Sequence, residues 1–195
     1  MKYRLPAMLV TAAALALPLS SHALVYQFNA LINSAQEVPT NPSTANGVAT
    51  LFYDDKNTAA TADDSYDFTL SAFGLTGPFT GAHIHAPAPV GVNAPVVVPL
   101  NVAPFVFFNL GGTVLIGGSD VAPPSASFLS QLQGSLTYVN LHTALYPGGE
   151  IRGQLIQVSV IPEPSSVALM LAGLAVGGLA LKRRALHHAA QRHQR

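Results

Sequence analysis

Between Leu24 and Ile161 the chain carries only three histidines, His83, His85 and His142. In Gly81-Ala82-His83-Ile84-His85 two imidazoles stand two residues apart. On a β-strand they share one face, with about 6.6 Å between their Cα atoms. Ala82 and Ile84 take the opposite, apolar face. Tyr138-Val139-Asn140-Leu141-His142 follows the same logic: Val139 and Leu141 face one way, Tyr138, Asn140 and His142 the other. If these two strands pair or pack closely, three neutral imidazoles converge on one surface. Such a donor set suits zinc, copper or nickel and leaves a position for water. The competing reading is three half-exposed strand histidines that only make hydrogen bonds.

Three further residues stand near this pattern. Glu37 precedes Val38-Pro39 and is expected to tie a loop. Glu150 follows the turn signal Pro147-Gly148-Gly149. Either carboxylate is a candidate to orient a ligand imidazole from behind. Arg152 is expected to form a salt bridge with Glu150 or with an acid across the sheet. Other chemistries find no support. There is no Gly-x-Ser-x-Gly, no phosphate-cradling glycine loop and no carboxylate pair with a readable geometry. Cysteine is absent, which excludes disulfides, cysteine-ligated metal centres and a thiol nucleophile. All three methionines lie in the terminal segments, so a thioether copper site in the domain is excluded as well.

The elements that must position these residues read as short β-runs split by Gly, Pro, Asn and Asp. Strands are expected over 24–34, 47–53, 66–73, 79–85, 96–100, 105–110, 113–116, 135–142 and 151–160. Asn57 to Ser65 and the proline-rich Pro87 to Pro95 read as loops. Gly111-Gly112 reads as a hairpin turn. Ser125 to Gln133 is the one plausible helix, with Gly134 just after its end. Many short strands with almost no helix predict an all-β fold, an antiparallel sandwich or barrel.

The two ends are different in kind. Met1-Lys2-Tyr3-Arg4, the apolar stretch Leu5 to Leu19 and the small residues before Leu24 have the three parts of a secretory signal peptide, expected over 1–23. At the other end Pro162-Glu163-Pro164 leads into Ser165 to Leu181, 17 uncharged residues, and then Lys182-Arg183-Arg184. As a helix the run 165–181 spans about 25 Å, just enough for a bilayer. Every charge after it is positive, so the tail 185–195 is expected to stay cytoplasmic with the domain outside. His187, His188 and His193 belong to that tail and read as solvated. Seven of the nine Lys and Arg lie in these ends. The domain between them keeps Lys56 and Arg152 against eight acids, a formal charge of −6. That balance argues against nucleic acid and anionic membrane surfaces as partners and is compatible with cations.

Two resemblances emerge from these motifs. The order Pro162-Glu163-Pro164, apolar helix, Lys182-Arg183-Arg184 resembles the PEP-CTERM sorting signal over 162–184. That resemblance implies passage through the secretion machinery and recognition by an exosortase, from a membrane-anchored precursor to the cell surface or medium. The domain, from about Tyr26 to Val158, resembles the CHRD domain, named after chordin. The match rests on Ala35-Gln36-Glu37-Val38-Pro39, Gly47-Val48-Ala49, Gly81-Ala82-His83-Ile84-His85-Ala86-Pro87, Tyr138-Val139-Asn140-Leu141-His142-Thr143 and Pro147-Gly148-Gly149-Glu150-Ile151-Arg152-Gly153-Gln154. It departs from the family at Ala86, where Gly is common, and in an unusually apolar stretch from Val96 to Ile116. The family implies a Greek-key-like β-sandwich and no single activity. More distantly, His-Ile-His on a strand and an Arg in a Gly-flanked last segment are similar to the copper side of Cu,Zn superoxide dismutase. By that similarity His83, His85 and His142 would be copper ligands and Arg152 would attract an anion. The zinc loop, the disulfide and a fourth His ligand of that enzyme are missing here.

Three functions follow as expectations. The first is a non-catalytic exported domain that binds copper or zinc through His83, His85 and His142. The second is a structural or adhesive surface module, with an extracellular polysaccharide or another surface component as partner. The third is a copper-dependent dismutase-like oxidoreductase.

Overall fold

The computed structural model describes residues 24–162 and the helical residues 173–175 and 178. No helix among the described residues is long and apolar enough to cross a membrane. The expected signal peptide, sorting residues Glu163, Pro164, Lys182, Arg183 and Arg184, most of the 165–181 span and the basic tail lie outside the described residues.

Ten antiparallel strands build the domain: β1 Leu24–Asn33, β2 Asn46–Asp54, β3 Ser65–Phe73, β4 Phe79–His85, β5 Val96–Pro99, β6 Val106–Leu110, β7 Thr113–Val121, β8 Tyr138–Thr143, β9 Ile151–Gln154 and β10 Ile156–Pro162. A short helix, α1, spans Phe128–Gln133. The spatial order is β5-β4-β8-β9-β1-β2-β3-β7-β6, and β10 continues along the edge of β1 beyond β9. Laid flat, nine strands at about 4.8 Å spacing would put β5 and β6 about 38 Å apart. Yet only residues 100–105 join them, a reach of at most about 24 Å. The sheet must therefore curl, and it forms a half-barrel whose halves face each other across one core. The links β3→β4, β5→β6 and β7→β8 each cross between the halves, which gives the expected all-β, Greek-key-like arrangement.

Alternation decides which side chains enter that core. Phe28, Leu51, Phe68, Leu70, Ile84, Val139, Leu141 and Ile151 face inward and are buried. Each contributes about 1.5–3 kcal/mol by leaving water. Helix α1 adds Phe128 and Leu132, with the Phe128 ring 5.5 Å from Tyr66 and 6.4 Å from Tyr53.

Two elements differ from the periodicity reading. The run 151–160 is two strands, because the chain changes partner at Leu155: its N–H still donates to the Thr137 carbonyl in line with the β8–β9 register, whereas from Ile156 onward β10 pairs with β1. β7 runs on to Val121 despite Gly117-Gly118. The ring of Phe105 occupies the space where a Gly118 side chain would stand, and a bulge opposite Asp67 absorbs the irregularity.

Candidate metal centre

β4 and β8 are hydrogen-bonded neighbours. Their register sets Gly81 opposite His142, His83 opposite Asn140 and His85 opposite Tyr138. His142 is thus diagonal to His83, within side-chain reach. All six residues lie on the outer face of the half-barrel, because Ala82, Ile84, Val139 and Leu141 fill the inner one. Small Gly81 leaves room for the His83 ring, which packs over it.

The three imidazoles converge. One ligand nitrogen from each lies within 4.8 Å of the others, and ring centroids are 4.8 Å apart for His83–His142 and 5.7 Å for His83–His85. A triangle with no side above 4.8 Å has a point within about 2.8 Å of every corner, against metal–nitrogen bonds of about 2.0–2.1 Å. Small side-chain rotations close that gap.

The hydrogen bonds decide which nitrogens are free. His85 Nδ1 meets the Ala94 carbonyl at 2.8 Å, and His142 Nδ1 meets the Pro147 carbonyl at 3.1 Å. A carbonyl only accepts, so each Nδ1 carries the proton and each Nε2 presents a lone pair. Those two Nε2 atoms, together with His83 Nδ1, are buried and without a hydrogen-bond partner. Glu37 Oε1 and Asn140 Oδ1 beside them are likewise buried without a partner, so five of the seven such atoms among the described residues belong to this polar layer. Burial, reinforced by the neighbouring imidazoles, pushes the His83 pKa down to about 4. Burial lowers His85 and His142 too. All three are held in the neutral form that ligates a metal, so the donor set, its protonation and its unpaired nitrogens fit a transition metal.

Arg152 on β9 is 1 % exposed. Its Cζ lies 3.4 Å from the centre of the Tyr138 ring, and its NH groups donate to Asn93 Oδ1 at 3.1 Å and the Val92 carbonyl at 2.7 Å. His85 stacks on the same ring at 4.7 Å and 2°. The two cannot share one ring face without clashing, so Tyr138 is sandwiched between His85 and Arg152. The salt bridge expected of Arg152 is not formed with Glu150. Glu150 is buried and accepts from Ser43, from the Thr76 backbone and hydroxyl, and from Thr143. Burial alone would raise its pKa, but these hydrogen bonds outweigh it and hold the carboxyl below its usual value. Glu37 is buried beside Asn140, where desolvation raises its pKa to about 7 against the pull of Arg152. Gly149 makes this neighbourhood possible: a Cβ there would lie 2.6–2.7 Å from the Asn140 amide and from Glu37 Oε1. The partners of the His85 and His142 rings are backbone carbonyls, and neither carboxylate bonds to an imidazole.

Sequence reasoning placed Tyr138 and Asn140 on the histidine face without giving them a role. It missed the loop 86–95 as the segment that holds His85 and Tyr138 in place. Arg152 holds that loop at Val92 and Asn93, Tyr138 and His85 at Ala94, and Gln154 at Ala88. Nothing in the loop's own sequence marks its carbonyls as partners.

A family model for the CHRD domain matches residues 28–155, a span with all three histidines and strands β2 to β9. A second, for the PEP-CTERM protein-sorting motif, matches residues 160–184. No curated protein and no solved structure matches the chain. The sorting motif marks an exported protein processed at the membrane and implies recognition by exosortase. With two thirds of its length in the first match and the sorting motif directly after it, this chain belongs to the CHRD-domain family and is its exported, PEP-CTERM-tagged kind.

Proposed function

We propose that this protein is a non-catalytic, surface-sorted domain that binds a transition metal, copper or zinc, through His83, His85 and His142. The observation that carries the reading is a cluster of three histidines that brings one ring nitrogen of each within 4.8 Å of the others, each ring also holding a buried nitrogen without a hydrogen-bond partner. Two of the rings are already held in the ligating tautomer by carbonyls. The bound ion would supply a Lewis-acidic, cross-linking centre that ties β4 to β8. Three imidazoles leave a coordination position open, through which a surface partner would be met. The domain's negative charge favours cations near it.

Titration of the purified protein with copper(II) and zinc(II), followed by calorimetry, tests the proposal. Binding of one ion per chain is expected, weakened at least about 100-fold by His83→Ala or His142→Ala, in keeping with the loss of one of three ligands. No binding by the wild type, or unchanged binding by both variants, sinks it.

A further inference from the structure

The stretch from Val96 to Gly118 contains no charged residue, in a domain of net charge −6. It holds both ends of the sheet, and the two ends differ. β5 is interrupted as a pairing edge by Pro99, with Pro95 just before it, the usual way an edge is blunted. β6 itself carries no proline, Pro104 standing two residues before its start. All five of its residues are exposed, among them Val106, Phe108 and Leu110, which are more than 60 % exposed.

The hairpin turn fixes which backbone groups this edge offers. Gly111 and Gly112 have φ of 55° and 87°, the two left-handed residues of a type I′ turn. Leu110 and Thr113 therefore close the loop as a hydrogen-bonded pair. By alternation Phe108–Leu115 and Val106–Gly117 are hydrogen-bonded pairs too. The N–H and C=O groups of Phe107 and Asn109 point the other way, off the sheet, where no strand among the described residues pairs with them.

We infer that β6 pairs antiparallel with β6 of a second copy, about a two-fold axis at Phe108. In that register Phe107 faces Asn109 of the second copy and Asn109 faces its Phe107. All four outward groups on each strand are then used, in four hydrogen bonds. Phe108 meets Phe108 across a non-hydrogen-bonded pair, and Val106 meets Leu110. No charges are brought together, so the edge is self-complementary as a two-fold interface requires. On the outer face the dimer continues an apolar row. Leu31, Val48, Ser71, Leu115 and Phe108 are successive register partners across five strands, and the row runs on into the same row of the second copy. The exposed side chains and strand edge amount to roughly 500 Å² per copy, so at most about 1,000 Å² in total is buried, the size of a weak, concentration-dependent contact. Such a dimer forms where copies are concentrated, as on a cell surface. None of the three histidines lies on this edge, although the Phe107 ring packs 5.9 Å from that of Phe79 at the start of β4.

The chain has no cysteine, so one introduced cysteine reads the register. Across the axis the Phe108 Cα atoms lie about 4.5 Å apart, within disulfide range. The Val106 Cα atoms are about 14 Å from each other. Full-length chain in the cell envelope, mildly oxidised and run without reductant, should give a cross-linked dimer for Phe108→Cys. Its yield should exceed that of Val106→Cys and of the exposed Val90→Cys by at least 10-fold, on the order expected for a fixed rather than a collisional contact. Phe108→Lys should sediment as a monomer with unchanged melting, and mixing it with Phe108→Glu should restore the dimer. No cross-link at Phe108→Cys, equal yields at all three positions, or a dimer that survives Phe108→Lys overturns the proposal. Occupation of the edge by another protein or by the chain's own C-terminal segment gives no homodimer cross-link and likewise overturns it.

Discussion

At the scale of single residues, burial does what a bound proton would undo. The three imidazoles are neutral in the fold, with His83 near 4, while an unfolded histidine titrates near 6.5. Below that value the unfolded chain takes up protons that the folded chain refuses. Stability is therefore fully present above about pH 6.5 and falls as pH drops toward 4. Glu37 works in the opposite sense. Its carboxyl holds a proton up to about 7 in the fold against 4.5 outside, so its contribution fades as pH rises through that window. Three histidines outweigh one glutamate. Chelator-treated protein is predicted to melt lower at pH 5 than at pH 7, and Glu37→Gln to steepen that trend. A flat melting profile over this range would contradict it. Arg152 is a second case. Buried, stacked on Tyr138 and bonded to Val92 and Asn93, it fixes the loop whose Ala94 carbonyl holds His85. Arg152→Met leaves two acceptors unpaired and should cost about 2–4 kcal/mol in a denaturant titration. Faster amide exchange at Val92 and Ala94 should accompany it.

At the scale of elements, the site depends on strands meeting closely outside it. β9 touches β1 through one bridge, Asn33 to Arg152. There Gly153 lies against the Leu31 carbonyl with no space for a side chain. Gly153→Ala must push β1 from β9. It should destabilise the domain by about 1–3 kcal/mol, as overpacking does, and weaken metal affinity through the displaced Arg152 and its loop. Circular dichroism melting together with a zinc titration reads both, and an unperturbed melt would show that β1 yields at no cost. Glu150 acts at this scale too: its hydrogen bonds gather Ser43, Thr76 and Thr143 from three separate segments at the end of β8.

At the scale of the whole molecule, the sorting motif and the domain divide the work. The PEP-CTERM match sets where the protein goes. Replacing Pro162-Glu163-Pro164 with Ala-Ala-Ala should leave the precursor in the membrane fraction while metal binding by the domain stays intact; normal release would remove the motif from the processing step. Much of this was legible in the sequence. Period-two alternation is a local property, so it revealed the strands, the apolar inner face and the shared face of His83 with His85 and of Tyr138 with His142. Composition revealed the acidic, cysteine-free domain ahead of the C-terminal sorting motif. Neither property specifies which strands are neighbours, since a strand's pattern is the same beside any partner. The β4–β8 register, which makes three histidines one cluster, came only from the curled sheet. So did the break at Leu155 and the roles of Ala94, Pro147 and Gly149, because backbone carbonyls and missing side chains leave no local mark of their distant contacts. The residue types by themselves determined three histidines on strand faces and a C-terminal sorting motif; the tertiary structure decided that the three imidazoles meet and which of their nitrogens are tied to backbone carbonyls.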